Sequence, residues 1–99
     1  MSWGFVLRSE ARAALGRMRD NDPDGATLVA AAMRALTKDP RPAGVHVLSE
    51  PEGLYRLHLS REEHATRVTL EYRVTYLLDD EHTTVTVILL GTLPRRRRR

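Results

Sequence analysis

The chain contains no cysteine, which removes disulfides, thiolate metal ligands and a cysteine nucleophile in one step. Aromatic residues make up only 5% of it, too few for the stacking platforms on which many proteins hold single-stranded bases. No apolar run approaches the roughly 18 residues of a membrane span. The opening "MSWGFVLRSEARAAL" has no basic segment ahead of its short apolar stretch, so no secretory leader is expected and the cytoplasm is the default location. His46, His64 and His82 are 18 residues apart in segments that read as loops and turns, which is no ligand spacing, so neither a metal nor another cofactor is expected.

An excess of one charge sign is missing too, although the net charge of +3 suggests otherwise. The last five residues, Arg95 to Arg99, carry it: without them 11 basic residues stand against 13 acidic ones, a net of −2. The bulk charge therefore makes no case for nucleic acid, and any such case rests on where individual cations are placed. A like-charge run of this kind reads as a disordered tail, residues 95–99, following one domain over residues 1–94.

What is present is pattern. "SWGFVLR" sets Trp3, Phe5 and Leu7 on one side of a strand. Ser9 then offers an N-cap for a helix with Ala11, Ala14, Leu15 and Met18 at helical spacing. Asp22 before Pro23 starts a second helix, because proline at the first helical position loses no needed N–H. Its stripe of Ala26, Val29, Ala32, Met33 and Leu36 ends before the "DPRP" segment. Trp3, Phe5, Leu7, Met18 and Met33 are expected in the core. Residues 39–53 read as a long connection with a brief extended piece at Val45 to Leu48. Three strands follow, "LYRLHLS", "TRVTLEYRVTYLL" and "TTVTVILLG", with "REEHA" and "DDEH" as turns, and Arg61 and Arg67 flank the first as a solvated hairpin tip. The order β-α-α-β-β-β argues for an α+β fold: an antiparallel sheet with an N-terminal helical hairpin on one face and the first strand beside the last or a central one.

In "LEYRVTYLLDD", Leu70, Tyr72, Val74, Tyr76 and Leu78 share one face, and Arg73 stands on the other. In "LYRLHLS", Arg56 and His58 share a face, two residues or roughly 7 Å apart. The periodicity permits all three on one open sheet surface, provided that the register of the hairpin makes them neighbours.

Tyr55-Arg56-Leu57, Tyr72-Arg73-Val74-Thr75-Tyr76, Asp79-Asp80 and Gly91, in that order and with those turns, resemble the RelE/ParE superfamily of bacterial toxins along nearly the whole chain. The resemblance implies a toxin of a type II toxin–antitoxin system: a RelE-like, ribosome-dependent endoribonuclease that cleaves messenger RNA and so inhibits translation. Arg56, His58 and Arg73 would be the catalytic set, and Arg61, Arg67, Arg95 and Arg96 would bind RNA. A cognate antitoxin, with which it would form a hetero-oligomer, and messenger RNA on the ribosome would be its partners. The sequence departs from the family where "GTLP" puts Thr92 and Leu93 in place of a basic residue, and no aromatic residue follows Tyr76. These departures keep open a ParE-like poison of DNA gyrase, or a catalytically degenerate member that only binds its antitoxin.

Overall fold

The computed structural model describes residues 2–95. Strand β1 (Gly4–Leu7) leads into helices α1 (Ser9–Asn21) and α2 (Pro23–Leu36), and strands β2 (His46–Ser49), β3 (Leu54–Glu63), β4 (Val68–Asp79) and β5 (Thr84–Arg95) follow. The strands form one sheet in the order β1-β5-β4-β3-β2. β2 to β5 are antiparallel neighbours, whereas β1 runs parallel to β5, Gly4 opposite Thr84 and Leu7 opposite Val87. The sheet is thus mixed rather than wholly antiparallel. Helices α1 and α2 and strands β2 to β4 all lie between β1 and β5 along the chain, which gives ample length for the crossover that a parallel pair needs.

Helix α2 begins as its sequence requires. The Asp22 side chain accepts a hydrogen bond from the Gly25 amide at 3.1 Å, and Pro23 occupies the first turn. Helix α1 differs from expectation at its start: Ser9 is already helical, and Arg8 at the cap position makes no side-chain capping bond. Arg8 is held instead by its own amide, which donates to the Val87 carbonyl at 3.0 Å.

The helical hairpin covers one face of the sheet. Ala11, Leu15 and Met18 of α1 and Ala26, Val29, Met33 and Leu36 of α2 pack with Tyr55, Tyr72, Val74, Tyr76, Leu78, Val85, Val87 and Leu90. A register shift between Thr75 and Tyr76 on β4, opposite Leu89 and Val87, inserts one extra residue in β5 and keeps both Val87 and Leu90 on the covered side. Trp3 and Leu7 are half-buried, but Phe5 is 40% exposed. As an edge strand, β1 has neighbours on one side only, so its stripe seals the rim of the core rather than filling it. Among the described residues, no helix covers the opposite face of the sheet. The period of two in β3 and β4 sends Arg56, His58 and Ser60, and Glu71, Arg73 and Thr75, to that open face.

Candidate RNA-binding face

The β3–β4 register settles what alternation leaves undecided. His58 stands directly opposite Arg73, and Arg56 directly opposite Thr75, so the three side chains share one face; opposed residues in such a ladder have Cβ atoms about 5 Å apart. On its other side Arg73 faces Gly91 of β5. A glycine there presents no side chain against the guanidinium. Arg56 and Arg73, with Thr75, Leu89, Gly91, Thr92 and Leu93, line an open groove of about 180 Å³. The Arg56 Nε is buried and has no hydrogen-bond partner among the described residues. A buried, unpaired guanidinium N–H is costly.

Strand β2 brings a residue that the spacing of the histidines alone sets aside. His46 pairs in register with Arg56, and its ring stacks on that of His58, with centroids 4.2 Å apart and planes 26° from parallel. The signal was present in "HVLSEPEGLYRLH": an extended piece, a Pro- and Gly-containing turn and a strand make a hairpin. Pairing across that turn places His46 near Arg56 and His58. Partial desolvation lowers the His58 pKa, and the neighbouring His46, Arg73 and Arg56 lower it further, against an opposing effect of Glu71. The ring is therefore neutral at pH 7 and able to accept a proton.

The remaining cations fall elsewhere. Arg61 is not a solvated tip: β3 continues to Glu63, and the alternation sends Arg61 to the helix face. There its guanidinium forms an ion pair with the Asp22 carboxylate, and its Nε donates to the Tyr72 hydroxyl at 3.0 Å. The Tyr72 hydroxyl in turn donates to Asp22. Burial works against the Asp22 carboxylate, yet the bonds from Tyr72, Arg61 and the Gly25 amide outweigh it and hold its pKa below the usual value. Arg61 therefore fastens the interhelical turn to the sheet and is directed away from Arg56, His58 and Arg73. Arg67 is exposed in the β3–β4 turn, with φ of 55°. The Arg95 backbone extends β5 as the partner of Thr69, so the strand runs into the arginine run expected to be a tail; Arg96 and the residues after it lie outside the described residues.

A second concavity, of about 690 Å³, opens at the Gly53 end of the sheet among Arg41, Glu50, Glu52, Tyr55, Asp79 and Asp80. Arg41 is held there by Asp80 at 2.9 Å and by the Tyr55 hydroxyl at 3.0 Å, above the Tyr55 ring. Asp80 neutralises Arg41, and with Glu50, Glu52 and Asp79 also present this end repels phosphate. Of the two concavities, the one on the open face suits an anion. Among the described residues, no helix is long and apolar enough to cross a membrane, and no group of three or more acidic or histidine side chains is placed to hold a metal ion.

No family model and no curated protein sequence matches the chain. Solved structures do. A chain of the toxin–antitoxin complex RelBE2 from Mycobacterium tuberculosis superposes with a TM-score of 0.66 at 23% identity, over 94% of this chain and 100% of that one. A mutant of the E. coli toxin RelE in the free state superposes with a TM-score of 0.64 at 21% identity, over 92% of this chain and 83% of that one. The likeness is one of fold, and it runs nearly from end to end.

Proposed function

We propose that this chain is a RelE-like toxin of a type II toxin–antitoxin pair, and that its open sheet face binds messenger RNA at the ribosome and cleaves it. The observation that carries the reading is the register that sets His58 against Arg73 with Arg56 beside them. The fold shared with RelE and with a chain of RelBE2 supports it, as do Arg56 and Arg73 in the wall of the open groove.

Cleavage by the RNA's own 2′-hydroxyl follows from these parts. A neutral His58 takes the 2′ proton as the oxygen attacks the adjacent phosphorus. Arg56 and Arg73 stabilise the extra negative charge of the pentavalent phosphate, a task for which the planar guanidinium is suited at any working pH. The bond to the 5′-oxygen breaks, that oxygen takes a proton from solvent, and a 2′,3′-cyclic phosphate remains on the upstream fragment. No added cofactor enters this scheme. The partner that restrains the activity is a cognate antitoxin, and one of the structural neighbours comes from a toxin–antitoxin complex.

Inducing the chain without an antitoxin should arrest growth in the cytoplasm and fragment messenger RNA. Arg73→Ala, which removes one stabilising cation, should lower the cleavage rate about 100-fold and relieve the arrest while the circular dichroism spectrum stays unchanged. Intact transcripts after induction of folded protein would overturn the reading.

A second reading draws on one specific observation: the β5 side of the groove presents Thr92 and the exposed Leu93, where the resembled family has a cation. A gyrase poison or a protein that only binds its antitoxin needs no cation there. Induction of the DNA-damage response with whole messenger RNA would assign the first of these, and tight antitoxin binding with neither effect the second.

A further inference from the structure

We propose that His46 is a positioning residue, whose ring, stacked on that of His58, fixes the His58 imidazole beside Arg73 on the open face. The inference rests on the nuclease reading for its consequence, though not for its geometry.

His58 is exposed and lies in the middle of a strand, so nothing in β3 alone selects one orientation of its ring. The β2–β3 pairing supplies the selection. His46 is opposite Arg56 and Val47 is opposite Tyr55, after which the register shifts before Ser49 reaches Leu54. The regular part of the ladder thus ends just past His46, and that histidine is the β2 side chain delivered to the His58 ring. With the rings 4.2 Å apart and 26° from parallel, one face of His58 is covered and its rotation toward β2 is blocked. The uncovered side looks toward β4, where Arg73 and Glu71 lie.

The stack is also electrostatic. Arg56 on β3, Arg73 on β4 and His46 on β2 all oppose a positive His58, and Glu71 on β4 favours one. Positive charge placed beside an imidazole disfavours the protonated form of that ring. His46 therefore does two separable things: its ring area orients His58, and its titratable nitrogens disfavour the charged form.

Two substitutions divide these roles. His46→Phe keeps a ring and removes the charge, and His46→Ala removes both. The histidine signals of the free, full-length protein, followed by NMR against pH, report His58 without any RNA. In both variants its midpoint should rise, because the opposing effect of His46 is gone, and the acid limb of the kcat profile should move with it. At pH 8, above either midpoint, His46→Phe should retain kcat within about threefold, whereas His46→Ala should lose about tenfold because its base is no longer oriented. KM should be unchanged in both. A His58 midpoint and pH profile that coincide with wild type in both variants would overturn the proposal. Failure of the wild-type chain to cleave RNA would instead remove the nuclease reading, and the NMR titration would still decide whether His46 governs His58.

Discussion

Arg73 and Arg61 show how differently two arginines on neighbouring strands can be used. Both stand on half-buried strands, and the alternation of "LEYRVTYLL" placed Arg73 correctly on the open side. The phase of Arg61 was equally readable, since it is even-spaced from Tyr55, Leu57 and Leu59, but an apparent turn at "REEHA" hid it. Its partner Asp22 lies 39 residues away, and a pairing at that distance is settled by tertiary packing rather than by local pattern. The pair has a measurable consequence. Asp22 and Arg61 are both mostly buried, with side-chain exposures of 17% and 20%. Asp22→Asn keeps a competent helix cap but leaves the guanidinium without a counter-charge, which should cost roughly 2 kcal/mol in urea unfolding at pH 7. Because the folded carboxyl has a lowered pKa, this stabilisation is fully present above the unfolded value of about 3.9 and is lost as pH falls through the folded one. The stability gap between wild type and variant should therefore close below about pH 4.

At the scale of elements, the helical hairpin and the three long strands were legible because each has a sustained period and a clear punctuation. The parallel placement of β1 was not, since a four-residue strand carries no mark of direction. The brief extended piece in the long connection became β2, and pairing across the Gly53 turn is what makes it a strand. Gly53 itself has φ of 68°, and a Cβ there would come within 2.5 Å of the Leu78 carbonyl oxygen. Its carbonyl accepts a hydrogen bond from the Leu78 amide at 2.8 Å, so the turn is clamped to β4. Gly53→Ala meets both backbone strain and a backbone clash, and should lower stability by more than about 1 kcal/mol, measured by thermal or urea denaturation. Because the same turn sets the β2–β3 register, the variant should also loosen the His46–His58 stack, visible as altered histidine titration.

The whole molecule separates its charges. His46, Arg56, His58 and Arg73 share the open face, while Glu50, Glu52, Asp79 and Asp80 surround the Gly53 end. On the proposed reading, this separation would steer an RNA chain along the sheet and away from one end of it. Replacing Arg96 to Arg99 by serine lowers the formal charge from +3 to −1. If those residues contact single-stranded phosphates as fully as their charge allows, the slope of log affinity against log salt should shrink by about 3. Binding titrations at several salt concentrations measure this, and an unchanged slope would confine binding to the sheet. The parallel pair of β1 and β5 has a consequence of another kind. Gly4 meets Thr84, so the first strand must wait for eighty further residues to be synthesised before its only neighbour exists. Pairings of such long sequence separation close late and slowly. A ribosome making this chain thus carries an unfinished sheet until the fifth strand has emerged.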